Sequence, residues 1–201
     1  MLQMLLDTSS TILYIAFVRD KEVIYESINE GKNNHSDNLL KLIQEGLKKN
    51  NLEVKDFDKI VLGKGPGMYT GLRVSMTVAK MFSWTLNIPL YTISSIDLLI
   101  SGYFLKDGVY AVMLKAKKDH SYTKVVRIKN GEITVLRKEE FMNNEEFFSS
   151  LREEKIVYDY LIDNSNVKIN TLEICKHDKK DEQELVTNIH ALEPNYLRAD
   201  I

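Results

Sequence analysis

Residues 3–28 read QMLLDTSSTILYIAFVRDKEVIYESI, three β-type runs in immediate succession. Residues 3–6 are a short apolar run, and residues 11–18 (TILYIAFV) are apolar with β-branched and aromatic members. Residues 22–28 alternate, with Val23, Tyr25 and Ser27 expected on one face. Arg19, Asp20 and Lys21 fit the turn of a hairpin between the second and third runs.

Moving outward, a helix is predicted from Ser36, whose hydroxyl can cap the free amides of a first turn in which Asp37 complements the helix dipole, to Asn50. A strand follows at 59–63, then the loop GKGPGMYTG at 63–71, then a helix over Leu72–Leu86 that stops before Pro89. Residues 90–93 form a further strand, and Ser94 or Ser95 caps a helix running to Leu105. The order β, β, β, helix, β, helix, β, helix joins three antiparallel strands to a helix-linked parallel extension. That is the order of one actin-like, or ribonuclease H-like, half-domain.

From Tyr110 the pattern restarts, with candidate strands at 110–115, 122–128 and 132–136 and a short helix opened by Asn143–Glu146. Residues beyond it, to Asp181, are too mixed to assign. The expected fold class is α/β, an actin-like ATPase (ASKHA) duplicated fold of two lobes with mixed sheets flanked by helices. Residues 1–105 form the first, partner-binding lobe. Residues 106–201 form a smaller, degenerate one, whose last helix returns to the first lobe.

The composition sets limits on function. The chain has 201 residues, 44% hydrophobic and 28% charged, with a net charge of −2, so no global basic excess lets it hold a nucleic-acid backbone alone. Cys175 is the single cysteine, which rules out an internal disulfide, and His177 beside it lacks the further ligands of a zinc site. An acid arrives by Asp7, too early for a signal-peptide apolar region, and no apolar run approaches the roughly 18 residues of a membrane span. A cytoplasmic location with no membrane association is expected.

Two glycine- or hydroxyl-rich loops are candidates for chemistry. Asp7, Thr8, Ser9 and Ser10 end the first strand, where an acid and hydroxyls could meet a metal-bound phosphate or could simply close an Asx or Ser/Thr turn. Gly65, Pro66, Gly67, Thr70 and Gly71 lie between a strand and a helix that also carries Arg73, so their amides could hold an anion. The glycine spacing is neither a Walker A loop nor GxGxxG, and glycines of left-handed conformation fixed by Pro66 are the structural alternative. His35 lacks a second ligand one turn on, because position 39 is Leu, and no Gly-x-Ser-x-Gly elbow is present. No catalytic residue, metal or cofactor is assigned.

The helices carry more information. Over Leu72–Leu86, the residues Leu72, Met76, Ala79, Phe82 and Leu86 fall on one side and Val74, Val78 and Met81 on the other, so both faces are expected to be covered. Over Ser36–Asn50, the residues Leu39, Leu40, Leu42, Ile43 and Leu47 span an arc wider than the roughly 100° that one core contact needs. Leu39, Leu42, Ile43, Leu47, Val74, Val78 and Met81 are therefore the candidate partner interface.

Six stretches together resemble the TsaB (YeaZ) family: DTSS at 7–10, HSDNLL at 35–40, GPGMYTGLR at 65–73, AK at 79–80, IPLYTISS at 88–95 and PNYLR at 194–198. The likeness covers the first half and the C-terminal tip, and is loose over 106–190. It implies a non-catalytic subunit with an actin-like fold. Such a subunit binds TsaD, which transfers a threonylcarbamoyl group to the adenosine beside the anticodon of tRNAs reading ANN codons. It further implies docking through first-lobe helices, TsaE in the larger assembly, a homodimer when alone, and contact with tRNA only through the complex.

The residues agree with a loss of catalysis, since a His-x-x-x-His metal pair would need histidine where Leu39 stands. The second lobe departs from the family's usual Asp-Ala-Arg followed by Tyr, having Lys115, Ala116 and Lys117 with Tyr122 kept. The alternatives are an actin-like small-molecule kinase or ATPase organised by Asp7, and a metallopeptidase-like protein. The first lacks the second-lobe acid and the second lacks a metal pair.

Overall fold

The computed structural model describes residues 1–30, 35–152, 154–158, 166–176 and 183–197. It opens with β1 (Leu2–Asp7), β2 (Ile12–Arg19) and β3 (Glu22–Glu30), paired antiparallel with β2 in the middle. Asp20, at φ +56°, makes the tight β2–β3 turn that the sequence suggested. Along β2, Leu13, Ile15 and Phe17 enter one core while Ile12, Tyr14, Ala16 and Val18 enter another, which is why this run reads apolar without alternation.

The alternation expected for β3 fails at one point. Phe17 pairs with Tyr25 but Val18 pairs with Val23, so a bulge at Ile24 inserts one residue and flips the parity. Val23 packs on one core and Tyr25 on the other.

Next come α1 (His35–Asn50), β4 (Lys59–Gly63), α2 (Tyr69–Leu86) and β5 (Leu90–Ile93). Ser36 lies inside the first turn of α1 and not at its cap. α2 begins three residues before the expected Leu72, its first turn closed by Leu72 N donating to Met68 O, and it ends on Asn87 at φ +55°. β4 pairs parallel with β1 and with β5.

α3 (Ser95–Ile100) is capped by Ser94, whose Oγ accepts from Asp97 N. It stops at Ile100, short of the expected Leu105, and passes into a 3₁₀ turn at Ser101–Tyr103, where Gly102 N donates to Lys168 O.

The second sheet contains β6 (Gly108–Lys115), β7 (His120–Lys129) and β8 (Glu132–Asn143) as an antiparallel set. After α4 (Asn144–Ser150), β9 (Lys155–Tyr158) pairs parallel with β6, so the plan of the first lobe recurs. β8 extends seven residues past the expected end at 136, its polar half (RKEEFMN) held by pairing to β7 at the sheet edge. α5 (Thr171–Lys176) and β10 (Glu184–Leu185) lie where no element bounds were assigned from the sequence.

β10 adds to β5, giving the first sheet the order β10-β5-β4-β1-β2-β3 and the second β8-β7-β6-β9. α5, the last helix among the described residues, lies against β2 and β3, with Tyr14 Oη and Thr171 Oγ1 hydrogen-bonded at 2.8 Å. One core lies between the first sheet and α1 and α2, and a second joins the two sheets through α3 and α5. A smaller one lies under α4. No helix among the described residues is long and apolar enough to cross a membrane.

Candidate functional site

The end of β1, the β4–α2 loop and the start of α3 meet in one hydrogen-bonded cluster. Asp7 is fully buried: its Oδ1 accepts from Ser9 N (2.8 Å) and Ser9 Oγ (2.7 Å), and its Oδ2 accepts from Ser95 Oγ (2.6 Å). The first of these closes an Asx turn. Ser10 Oγ accepts from Ile12 N at 3.0 Å, and Thr8 Oγ1 donates to Gly71 O at 2.6 Å. An acid so placed holds a turn together and has no exposed edge for a substrate.

The loop is locked from the other side. Met68 N donates to Ser9 O (2.6 Å), Gly65 N to Ser95 Oγ (2.9 Å) and Ser95 N to Gly65 O (2.9 Å). Gly65 is at φ +104°, whereas neither Gly67 nor Gly71, one or the other of which is expected in the left-handed region from the loop sequence, is at positive φ. Those two are glycines for a different reason: a Cβ on Gly67 would collide with Ser9 O, and one on Gly71 with Thr8 O. Loop and turn are in backbone contact, so the loop clasps the Asp7 turn where a phosphate cradle would stand open. Pro66 is buried and Thr70 exposed.

A second network continues from the loop to the other lobe. Asn195 N donates to Lys64 O at 2.7 Å, and Asn195 Nδ2 to Glu139 Oε2 at 3.1 Å. Glu139 also accepts from Ser94 Oγ. Lys124, on β7, reaches Glu139 at 3.4 Å and grips both oxygens of Asp97 at 2.7 and 2.6 Å. These charged side chains escaped the sequence reading, which saw Ser95 only as a possible helix cap and Asn195 only within PNYLR, because their partners are far apart along the chain.

The candidate interface residues separate. Leu39 and Ile43 are buried in the core under α1, and Leu42, Leu47 and Val74 are half-buried against it. Val78, expected on the outward face, is only 8% exposed because it belongs to the same core. Met81 is 45% exposed. Phe82, on the opposite side from Val74, Val78 and Met81 in the sequence pattern, is half-buried. The exposed apolar side chains are instead Leu40 on α1 and Tyr69, Met81, Trp84 and Leu86 on α2, with Trp84 62% exposed. Trp84 was missed because an all-round apolar helix gives no periodic signal for its outer side.

Arg73 projects from the same helix. Its Nε donates to Tyr196 Oη at 2.9 Å and its guanidinium lies 4.0 Å from the Tyr69 ring centroid. The GPGMYTGLR and PNYLR stretches therefore interlock, though Arg198 lies outside the described residues. His35 begins α1, and its side chain also lies outside them. Among the described residues no group of three His, Cys, Asp or Glu could hold a metal ion. In the second lobe, Lys115 and Lys117 are exposed and His120 stacks on Phe141.

The family model described as TsaD: tRNA N6-adenosine threonylcarbamoyltransferase matches residues 22–183. The chain belongs to this family. Within it, the likeness is to TsaB (YeaZ) proteins. The chain is 36% identical over 126 residues to the tRNA threonylcarbamoyladenosine biosynthesis protein TsaB of Bacillus subtilis (strain 168), covering 63% of this chain and 55% of that protein. It is 34% identical over 94 residues to TsaB of Buchnera aphidicola subsp. Schizaphis graminum (strain Sg), covering 47% and 44%. The chain thus spans about half the length of the curated relatives it matches.

Among solved structures, a protein with similarity to peptidase YeaZ from Pseudomonas aeruginosa superposes with a TM-score of 0.78 at 17% identity, covering 98% of this chain and 99% of that one. YeaZ from Pseudomonas aeruginosa gives 0.67 at 19%, covering 78% and 74%. The two mixed sheets flanked by helices are the actin-like fold of these proteins.

Proposed function

We propose that this chain is a non-catalytic subunit of the machinery that makes threonylcarbamoyladenosine in tRNA, acting by docking its first lobe, residues 1–105, onto a TsaD-type catalytic paralogue. The observation that carries this reading is the outer side of α2: a helix already packed on the sheet and on α1 still exposes Tyr69, Met81 and Trp84, while α1 exposes Leu40. Trp, Tyr and Met are the residue types enriched at protein interfaces, and apolar groups so clustered on one side mark a partner site. The buried, hydrogen-bonded Asp7 supports the non-catalytic part, because an acid committed to a turn is withdrawn from substrate chemistry.

Leu42, Leu47 and Val74 are half-buried against the core that Leu39, Ile43 and Val78 belong to, and so back the docking helices from within. On this reading TsaE joins the assembly, a second copy takes the face when the paralogue is absent, tRNA is reached through the complex, and the protein works in the cytoplasm. Co-purification with TsaD of the same organism, followed by a threonylcarbamoylation assay with and without this chain, tests the proposal. The expected result is a stable complex and a modification rate that depends on the chain. No complex, or transfer independent of the chain, overturns it.

A further inference from the structure

Resting on that docking reading, we infer that Arg73 is the specificity-determining residue of the face, a pre-set fork that receives a carboxylate of the catalytic partner. An exposed arginine ordinarily samples many rotamers, and ordering it costs conformational entropy. Here two segments hold it: Tyr69, one turn before it on α2, lies under the guanidinium at 4.0 Å, and Tyr196, from 123 residues away, accepts from Nε at 2.9 Å. The two tyrosine rings themselves stand 5.1 Å apart. This use of Nε leaves the terminal amino groups as the side chain's remaining donors.

Among the described residues no group accepts from those donors. Among the described residues no carboxylate pairs with Arg73, and α2, YTGLRVSMTVAKMFSWTL, contains no acidic residue at all. Lys80, the other cation of the helix, donates instead to the backbone oxygens of His190 and Leu192. Among the described residues Arg73 is therefore the charge of α2 whose terminal donors are unmatched. A guanidinium whose fork is already oriented gains two parallel, charge-assisted bonds to a carboxylate with little further ordering, which lysine cannot reproduce. The chemistry calls for an Asp or Glu on the partner's facing surface, beside the apolar groups that cover Met81 and Trp84.

The test is titration calorimetry of the intact chain with TsaD at two salt concentrations, using Arg73→Gln, Arg73→Lys and Tyr196→Phe, with thermal melts as the folding control. Arg73→Gln should weaken association about tenfold or more and flatten its salt dependence, since it removes the charged half of the pair. Arg73→Lys should recover less than half of that loss, and Tyr196→Phe should give a smaller one. All three should melt like the parent. Binding by Arg73→Gln equal to the parent, while Trp84→Glu abolishes it, overturns the role of Arg73 and leaves the docking face standing. Full recovery by Arg73→Lys overturns the fork. Loss of tRNA retention by the assembled complex with TsaD binding intact overturns the carboxylate in favour of an RNA phosphate. Failure of the parent to bind overturns the docking reading and this inference together.

Discussion

Ser95 Oγ donates to Asp7 Oδ2 at 2.6 Å, tying the start of α3 to the end of β1 in a site where both residues are fully buried. Removing the carboxylate strands the Ser95 hydroxyl together with the Ser9 amide and hydroxyl. Asp7→Ala should cost at least about 3 kcal/mol, since three buried donors lose their acceptor at about 1–3 kcal/mol each. Urea denaturation followed by circular dichroism would show it as a lower midpoint at unchanged slope.

Gly71→Ala separates two effects of opposite sign. Alanine favours helix by roughly 1 kcal/mol, yet its Cβ would overlap Thr8 O, a backbone atom that cannot step aside. Overpacking of this kind costs about 1–3 kcal/mol and should win. The exposed neighbour Thr70→Ala should stay within about 0.5 kcal/mol of the parent. A Gly71→Ala variant that melts above the parent would disprove the clasp between loop and turn.

Val78→Glu and Trp84→Glu should behave oppositely. The first puts a carboxylate into the core shared by α1 and α2, which costs several kcal/mol and should unfold the lobe. The second leaves the melting temperature near that of the parent and abolishes co-purification with TsaD. Paired melts and pull-downs read both, and a folded Val78→Glu variant would contradict its burial.

The side of α2 that faces outward was the part of the site least legible in the sequence. Val78 and Met81 lie near each other on a helical wheel, yet one is 8% and the other 45% exposed, because Val78 packs into the core shared with α1 and Met81 does not. An apolar pattern shows that a helix is covered on two sides but not how far each cover extends. By contrast β1, β2, β4 and β5 were legible almost to the residue, since strands buried on both faces leave unbroken apolar runs between turn signals. The edge strand β8 was half missed for the opposite reason: its last residues are polar and owe their conformation to β7. No local pattern could reveal that Lys59 is buried, because its partner Gln183 lies 124 residues away.

Lys124 is the cation between two carboxylates that come from different segments. Lys124→Met keeps the volume of the stem but leaves Asp97 and Glu139 facing each other with side chains 19% and 17% exposed. The expected cost is roughly 2–4 kcal/mol, toward the lower end of broken buried pairs. The double variant Lys124→Met with Asp97→Asn should recover part of it, and a double-mutant cycle on thermal denaturation measures the coupling.

Stability should fall at high pH because of Tyr14. Burial pushes its phenol well above the ordinary range, against a smaller lowering by the hydrogen bond with Thr171. The sign follows from linkage: a raised folded value leaves stability intact below about pH 10, the unfolded value, and the loss sets in as pH rises beyond it. Tyr14→Phe should be less stable at pH 7, by about 1 kcal/mol for the lost bond. Its decline between pH 9.5 and pH 11, followed by denaturant midpoints, should be shallower than the parent's. Parallel curves would contradict the buried phenol.

β10 pairs Glu184 with Thr92, two residues 92 apart in sequence, and so fills the edge of the first sheet beside β5. During synthesis the ribosome delivers β1 to β5 long before β10. The nascent first lobe must therefore wait, with β5 offering unpaired amides and carbonyls, while the whole second sheet is made. Until then this edge stays open to chaperones and to mispairing with another nascent chain. Ribosome-held chains arrested after β8 should be cleaved by protease near β5, and chains extended beyond Leu185 should be protected there.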